Sequence, residues 1–421
     1  MMNMSNHLGL IEKKIRLEKG LTLDNVSADL GISRAFLSYA ENGKKTLREE
    51  DFIRFLNYYG IIFDFDLSSA EKVHSILDKL VMALIYRNHD REIQITKSFM
   101  NDRYLYENSF GCIYLPLIDS FLTIHELSGL TMQEQLKIFK KAEEYLSLYS
   151  EDERALLACA RAQHAKRSRK YSYSICLYNE ALSHLVKKQW PQLEGVIKMS
   201  LAIALSSELS FFEAYEMTKD ADLIFTSHSN YIQALVCQNN LASFLIEMQC
   251  HKDAQKVIDK IFMITDSFPS PEIYIQSTKT LLLAMTLQDH FQEVIDYSNA
   301  HEQSFDNGYI GNYCLIPYCY YRLGDYKACL QEIKVLSKEK PTADDKALFA
   351  LLKAIIIQNP HKVEKEKQIM ERVCYKQRNW WMLMILYQLM VYYYTVSEEN
   401  ELLIDAYARQ AMVFSHKLPP S

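Results

Sequence analysis

Similar residues recur every 35 to 40 positions from residue 171 onward, and this period constrains the fold more than any other feature. Each copy begins with an aromatic residue or histidine, and in the first five a small or medium residue follows three positions later. The copies begin at Tyr171, Phe211, His251, Phe291, Tyr326 and His361, and the following residues are Ser174, Ala214, Ala254, Val294 and Cys329. A unit of this length holds one antiparallel helix pair, which cannot bury its apolar face alone. The period therefore predicts helix pairs stacked into an α-solenoid.

The composition also favours long helices with few turns. Glycine and proline contribute only 11 and 9 of the 421 residues, while 49% of the chain is hydrophobic. So few turn-forming residues argue against a sheet-rich protein, and a chain of this length exceeds one ordinary core. We expect an all-α protein with six or seven helix pairs after residue 150.

Charge and cysteine content narrow the class of protein. The net charge of −6 argues against a surface that binds polyanions everywhere, and the nine cysteines include no CxxC pair. With no apolar N-terminal signal stretch, these features favour free thiols and a cytoplasmic location. No apolar run approaches the roughly 18 residues of a membrane span. We find no phosphate-binding loop, metal-ligand spacing or nucleophile–base set, so we expect no cofactor, no metal and no enzyme activity.

Short apolar helices separated by glycines occupy residues 8–66. Two of them, predicted over residues 22–30 and 33–41, are joined by a tight turn at Gly31. The Ser33 hydroxyl can accept a backbone N–H as N-cap of the second helix. This arrangement is that of a helix-turn-helix, and helices so short need a surrounding bundle to be stable in water.

The stretch RLEKGLTLDNVSADLGISRAFLSYAENGKK, residues 16–45, resembles the helix-turn-helix of the phage-repressor and Xre-type family, and the match extends over residues 8–66. The resemblance implies that Arg16 and Glu41 pair inside the bundle. It also implies that DNA contacts come from Thr22, Ser33, Arg34, Ala35, Ser38, Tyr39, Asn42, Lys44 and Lys45. Leu23 departs from the family, which often places there a glutamine that contacts the DNA backbone.

The clearest repeat, YCYYRLGDYKACLQEIKVL, resembles a tetratricopeptide repeat, and the other copies resemble degenerate ones. Stacked repeats form a groove lined by the first helix of each pair. In this register the inward positions are Asn239, Asn240, Ser243, Gln276, Lys279, Tyr318, Tyr321 and Arg322. Side-chain amides can satisfy the backbone of an extended peptide, and Lys279 or Arg322 can bind a carboxylate. We favour Asn239 and Lys279, because repeat packing does not require them, whereas Asn240 can also serve packing.

Two further stretches each allow two interpretations. The apolar stretch WWMLMILYQLMVYYY, residues 380–394, predicts a buried helix near the end of the solenoid, and alternatively a homodimer surface. The basic run KRSRK, residues 166–170, predicts a solvated loop, and alternatively a contact with the DNA backbone.

An Xre-type head joined to tetratricopeptide-like repeats resembles the peptide-pheromone regulators of the RRNPP family (Rgg, Rap, NprR, PlcR and PrgX). The resemblance implies a cytoplasmic homodimeric transcription factor that binds a double-stranded DNA operator. Its repeat domain would bind a short signalling peptide, which would shift the population of DNA-binding states. The expected domains are a DNA-binding head over residues 1–66, connecting helices or degenerate repeats over 67–150, and a repeat domain for peptide binding and dimerisation over 151–421.

Two other classes of function fit the same features. In the first, the protein is a Rap-like interaction protein that sequesters a protein partner. In the second, it is a phage or mobile-element repressor whose repeats only dimerise. Binding of a response regulator by residues 70–421 alone would favour the first, and DNA affinity that no peptide changes would favour the second.

Overall fold

The computed structural model describes residues 8–124, 129–185, 189–267, 271–301, 315–339 and 341–414. Within these ranges the chain forms 23 α-helices and no β-strand, apart from one isolated bridge between Asp64 and Ser109. The prediction of an all-α protein is confirmed. The chain divides into two compact units, residues 1–204 and 205–421, which we call unit 1 and unit 2.

Unit 1 begins with a bundle of four helices, which we call the head. They are α1 (Leu8–Glu18), α2 (Leu23–Leu30), α3 (Arg34–Glu41) and α4 (Glu49–Tyr58). Each helix buries apolar side chains, and α1 packs on both α3 and α4. Gly9 is required where α1 meets α3, because a Cβ there would lie 2.4 Å from the carbonyl oxygen of Ala40. The predicted helices over residues 22–30 and 33–41 are confirmed as α2 and α3.

The rest of unit 1 is also helical. Its helices are α5 (Ser68–Ile85), α6 (His89–Asp102), α7 (Tyr104–Glu107), α8 (Leu115–Leu122), α9 (Met132–Glu143), α10 (Glu151–Arg167), α11 (Tyr171–His184) and α12 (Leu193–Ser207), whose last turn enters unit 2. Helix α10 packs along α11 and also against α8 and α9. Capping boxes at Thr131 and Ser150 fix where α9 and α10 begin.

Unit 2 is a regular array of helix pairs. It contains α13 (Phe211–Ser227), α14 (Tyr231–Glu247), α15 (His251–Ser267), α16 (Pro271–Leu287), α17 (Phe291–His301), α18 (Leu315–Arg322), α19 (Tyr326–Leu336), α20 (Ala343–Ile356), α21 (Pro360–Gln377), α22 (Trp380–Ser397) and α23 (Asn400–Phe414). Each helix packs on the next, and α14, α16, α18, α20 and α22 also pack on one another in that order. The even-numbered helices therefore form one layer, as the stacking of helix pairs predicts.

The repeat period has a backbone counterpart in the turns before successive copies. A residue in the left-handed region lies two positions before each of the first five repeat aromatics or histidines. These residues are Arg169 (φ 59°), Leu209 (φ 65°), Gln249 (φ 62°), Asp289 (φ 63°) and Gly324 (φ 82°). Only the last is glycine, the residue that adopts this conformation without steric cost. The other copies therefore have the same turn without its usual residue, which explains why they resemble degenerate repeats.

Helix α22 uses its apolar side chains inside unit 2. Among its buried residues are Trp380, Leu383, Tyr387 and Tyr394. The interpretation of residues 380–394 as a buried helix is confirmed. Because these side chains are already buried within unit 2, they do not support a homodimer surface at this helix.

Candidate functional sites

The turn between α2 and α3 is built by side-chain caps and one glycine. Thr22 Oγ1 accepts the backbone N–H of Asn25 at 3.1 Å, within a full capping box. Gly31 ends α2 with φ 65°, and Ser33 Oγ then accepts the backbone N–H of Phe36 at 3.2 Å. These caps stabilise the start of both short helices. Thr22 and Ser33 therefore have a structural role, alongside the DNA contact predicted for them.

One face of α3, which we call the recognition face, consists of Arg34, Ala35, Ser38 and Tyr39. Arg34, Ala35 and Tyr39 are exposed and Ser38 is half-buried, whereas Leu37 and Ala40 on the opposite face are buried. The Nε atom of Arg34 lies 2.9 Å from Oδ1 of Asp24, and both side chains are largely exposed. An exposed pair of this kind is weak, so Arg34 can exchange Asp24 for another partner at little cost.

The loop after α3 presents a donor amide and two lysines. Asn42 Nδ2 donates to the carbonyl oxygen of Ser38 at 2.7 Å, which holds the loop against the end of α3. Lys45 Nζ lies 5.5 Å from the ring centroid of Tyr39, and Lys44 is exposed. This arrangement places two positive charges beside the recognition face, where a phosphate could be bound.

A buried ion pair supports α3 from below. Arg16 donates from Nε and Nη2 to the two carboxylate oxygens of Glu41, at 2.6 and 2.7 Å, and from Nη1 to the carbonyl oxygen of Leu21 at 2.7 Å. The predicted pairing of Arg16 with Glu41 is confirmed. Glu12 is buried beside this pair, and burial, reinforced by the charge of Glu41, raises the pKa of Glu12 to about 9. At neutral pH Arg16 is therefore paired with the carboxylate of Glu41, while the side chain of Glu12 is protonated.

Asn239 requires a correction to the predicted groove. It is 7% exposed, and its Oδ1 accepts a hydrogen bond from Thr280 Oγ1 at 3.2 Å, across the contact between α14 and α16. Repeat packing therefore uses Asn239, contrary to the expectation that it does not. Lys279 is half-buried, and burial lowers its pKa below the usual value for lysine. It remains a candidate for ligand binding.

Three other groove candidates are occupied in helix packing. Tyr318 and Tyr321 are buried at 0% and 4% exposure, and Arg322 donates from Nη1 to the hydroxyl of Tyr318 at 2.6 Å. The Arg322 guanidinium also lies between two rings, 4.5 Å from the centroid of Phe291 and 4.6 Å from that of Tyr392. These residues join α17, α18 and α22, so they are not open groove positions. The repeat register could not show this, because it does not reveal which neighbours cover a position.

Asn240, Ser243 and Gln276 stay at least partly exposed, and Ser243 lines a cavity of about 330 Å³ that we call the unit 2 cavity. The walls come from α14 and from the turn between α21 and α22, together with the ends of α12 and α13. They include Phe211, Phe244, Glu247, Arg378, Trp380 and Trp381. Residues far apart along the repeats meet here, so unit 2 curves back towards its own start.

Glu247 gives the unit 2 cavity its chemistry. Its Oε2 atom is buried and has no hydrogen-bond partner among the described residues, and burial raises the pKa of Glu247 to about 8. Trp380 Nε1 is also buried and has no hydrogen-bond partner within the described ranges, and Nη2 of Arg378 lies 3.7 Å from Oε1 of Glu208. The charges of Arg378 and Glu208 balance each other. Glu247 is therefore the acidic residue of the cavity that is left unpaired in the described part of the chain, and a cation or a hydrogen-bond donor of a ligand can pair with it.

Sequence analysis missed Glu247 and Trp380. One signal was available for Glu247: it is the last residue of α14, where the helix dipole disfavours a carboxylate. An acid at an unfavourable position indicates a role other than helix stability. Nothing in the sequence indicates that Trp380 lines the cavity, because its position opposite α14 depends on the curvature of the helix array in unit 2.

The basic run at residues 166–170 is partly buried. Lys166 and Arg167 belong to the last turn of α10, where burial lowers the pKa of Lys166 to about 8. Arg167 Nη2 donates to the carbonyl oxygen of Thr123 at 2.6 Å, and so ties α10 to the end of α8. The interpretation of the run as a solvated loop is therefore wrong for its first two residues.

Residues 13–64 match the family model described as helix-turn-helix. No curated protein sequence matches the chain. The described helices include none that is both long and apolar enough to cross a membrane. Nor does the described part of the chain bring together three or more histidine, cysteine or acidic side chains in a way that could hold a metal ion.

Several solved structures share the fold of the chain. A Rap protein in complex with Competence and Sporulation Factor is 12% identical, with a TM-score of 0.65 over 83% of this chain and 99% of that one. The apo quorum sensor NprR from B. thuringiensis is 13% identical, with a TM-score of 0.60 over 82% and 99%. The Rap conjugation gene regulator of plasmid pLS20, in complex with the Phr* peptide, is 10% identical, with a TM-score of 0.54 over 82% and 96%. The chain thus joins a helix-turn-helix domain to a helical-repeat solenoid with the fold of the Rap and NprR structures.

Proposed function

We propose that this protein is a transcriptional regulator that binds double-stranded DNA through the head and a short signalling peptide through its repeats. The observation that carries the proposal is the combination of an exposed recognition face with Glu247, a half-buried acid in the repeat array whose Oε2 atom has no hydrogen-bond partner among the described residues. One of the similar structures, the Rap conjugation gene regulator of plasmid pLS20, is in complex with the Phr* peptide. That complex supports a peptide as the class of ligand.

The DNA-binding half rests on the recognition face. Arg34 is its long donor, and arginine pairs with a guanine edge in the major groove. We expect Arg34→Ala to lose about 1–3 kcal/mol of affinity for the preferred duplex, and selectivity with it. Lys44→Ala should weaken all duplexes about equally and reduce the salt dependence, since a phosphate contact carries no sequence information.

The test is selection of duplexes from a random pool by the full-length protein, followed by titration of both variants at several salt concentrations. The two substitutions are a matched pair, because both remove an exposed positive charge within the head. If Arg34→Ala leaves affinity and selectivity unchanged, α3 is not the recognition helix.

The peptide half rests on the unit 2 cavity. An extended peptide has no internal hydrogen bonds, so it gains affinity from anchoring one side chain or its terminal amine in a pocket. Glu247 supplies the acceptor for a basic group, and the surrounding aromatic rings favour a cation with an apolar stem. Because its pKa is about 8 in the free protein, Glu247 must release a proton when a cation binds. Affinity for a basic peptide should therefore rise as the pH rises towards 8.

Synthetic heptapeptide pools test this half. Each pool has either lysine or norleucine fixed at one position, because norleucine keeps the stem and lacks the amine. We expect the full-length protein to prefer a lysine pool by about tenfold, the value of one charge-assisted hydrogen bond, and Glu247→Gln to abolish the preference. Glu401→Gln, an exposed acid on α23, is the matched control. If no pool bound, the proposal of a peptide ligand would be wrong. If the pools bound without a preference for lysine over norleucine, only the proposed role of Glu247 in binding the basic group would be wrong.

We also infer that the regulator is a homodimer, since most closed oligomers are two-fold. Helix α23 offers a surface for it: Ile404 and Tyr407 share one face and are 70% and 52% exposed. Sedimentation at micromolar concentration should report roughly twice the 49.2 kDa chain mass, and Ile404→Asp should return the monomer. A wild-type monomer, both free and on DNA, would contradict this inference.

A further inference from the structure

A second cavity, which we call the unit 1 cavity, lies between α9, α10 and α11. Its volume is about 310 Å³, and it has an apolar side and a polar side. Phe139 and Leu177 are on the apolar side; His164, Ser168, Lys140 and Lys170 are on the polar side. It is separate from both the recognition face and the unit 2 cavity, and neither proposed activity uses it.

His164 is the buried polar group of this cavity, at 8% exposure. Its Nδ1 lies 3.0 Å from Oε1 of Gln135, while Nε2 of that amide donates to the carbonyl oxygen of Leu130 at 3.1 Å. The amide oxygen is therefore the acceptor, and Nδ1 carries the imidazole proton. This tautomer leaves Nε2 as the ring nitrogen that a ligand in the cavity can engage.

The charge around the cavity is positive. Arg161 is balanced by Glu143 at 3.3 Å, but Lys140 and Lys170 have no ion-pair partner in the part of the chain that the structure describes. The effect is visible on His164, whose pKa is lowered by burial and then by the charges of Arg167 and Lys170. Two positive charges are thus left for a ligand to balance.

The start of α11 adds a third feature. Lys170 is its N-cap residue, and its side chain makes no capping hydrogen bond to the helix. The N-terminal end of a helix attracts anions through its first backbone N–H groups and through the helix dipole. Both Lys170 and Tyr173, in the first turn, line the cavity.

We propose that the unit 1 cavity binds a small phosphomonoester with an apolar body. A phosphate dianion matches the two unbalanced lysines and the N-terminus of α11, and its charge favours uptake of a proton at Nε2 of His164, which then donates to a phosphate oxygen. Phe139 and Leu177 would cover the apolar body. The distribution of charge on one side and apolar surface on the other favours this class over inorganic phosphate, and the unbalanced double charge favours it over a carboxylate.

Phenyl phosphate is a suitable probe, titrated into the full-length protein by calorimetry beside phenol, benzoate and inorganic phosphate. We expect phenyl phosphate to bind most tightly and phenol not to bind. Lys140→Gln and Lys170→Gln should each weaken it by about fivefold or more, as expected for loss of a charge-assisted contact. Lys137→Gln is the matched control, because Lys137 is exposed on the same helix but does not line the cavity.

Histidine nitrogen NMR spectra supply the second measurement. The Nε2 resonance of His164, assigned from a His164→Asn variant, should shift on addition of phenyl phosphate and not of phenol. An unshifted His164 resonance, or equal affinity in the two cavity lysine variants and wild type, would overturn the site. If benzoate bound as tightly as phenyl phosphate, the ligand would not be a phosphomonoester. If inorganic phosphate bound as tightly as phenyl phosphate, the ligand would not need an apolar body.

Discussion

The head and unit 2 each depend on one arginine that joins several helices, but the two arginines are held by different partners. In the head, Arg16 donates to both carboxylate oxygens of Glu41, and both side chains are buried. In unit 2, Arg322 lies between the rings of Phe291 and Tyr392, and its acidic partner Asp289 is more distant and exposed. Loss of the first arginine would leave a buried carboxylate without its counter-charge, whereas loss of the second would leave mainly a gap between two rings.

The largest effect should come from Arg16→Ala. Removing one partner of a buried ion pair costs about 3–5 kcal/mol, because the remaining charge stays desolvated. Amide hydrogen exchange of α2 and α3 in the full-length protein measures the loss locally, without assuming that the whole chain unfolds in one step. Protection that stays at the wild-type level would mean that Glu41 finds another counter-charge.

Glu12→Gln is the control within the same cluster, and it gives a pH dependence. The pKa of Glu12 is about 9 in the folded head against 4.5 for an unperturbed glutamate, so folding takes up a proton between these values. The stability of the head should therefore fall as the pH rises from 4.5 towards 9. The glutamine variant keeps the shape without the proton, so it should keep its protection at neutral pH and show a flatter profile. An unchanged profile would show that Glu12 is not the titrating group.

Arg322→Ala should have a smaller effect, about 2 kcal/mol, because it removes the ring contacts and the hydrogen bonds to Tyr318 and Asp289 but leaves no buried charge unpaired. Arg322→Lys separates these contributions, because an ammonium keeps the charge but cannot stack its plane against two rings. We expect it to lie between wild type and alanine in denaturant titrations followed by hydrogen exchange of α18 and α22. A lysine variant equal to wild type would show that charge alone holds this contact.

The same comparison explains how much could be predicted from the sequence. The head was predictable because a short motif assigns both its support, Arg16 with Glu41, and its exposed face. In unit 2 the 35- to 40-residue period was sufficient for the helix pairs and their stacking. It could not predict which groove positions a neighbouring helix covers, so Asn239 and Arg322 were expected to be free. The unit 2 cavity could not be predicted for a related reason, since α14 and α22 meet there only because the array is curved.

Asn239→Ala and Lys279→Ala sharpen this point. Asn239 accepts the hydroxyl of Thr280 in a buried place, so its loss should cost about 1 kcal/mol of unfolding free energy. Lys279 is half-buried, and burial already disfavours its charge, so its loss should cost less stability than the loss of Asn239. Thermal melts of the two variants side by side test the difference. Equal melting temperatures would return Asn239 to the set of groove candidates.

The smallest effect should come from the repeat turns, and it has the opposite sign. Gln249 adopts φ 62° between α14 and α15, the conformation that Gly324 adopts with φ 82° before α19. The left-handed region costs a non-glycine residue about 1–2 kcal/mol, and the greater freedom of glycine in the unfolded chain offsets part of the gain. We therefore expect Gln249→Gly to stabilise unit 2 by about 0.5 kcal/mol.

Gly324→Gln is the reciprocal control and should destabilise unit 2 by a similar amount. Lys252→Gly, inside the first turn of α15, should destabilise it because glycine has a low helix propensity. Denaturant midpoints of the three variants test the argument, and a destabilised Gln249→Gly would show that the turn gains more from the glutamine side chain than it loses to the left-handed backbone.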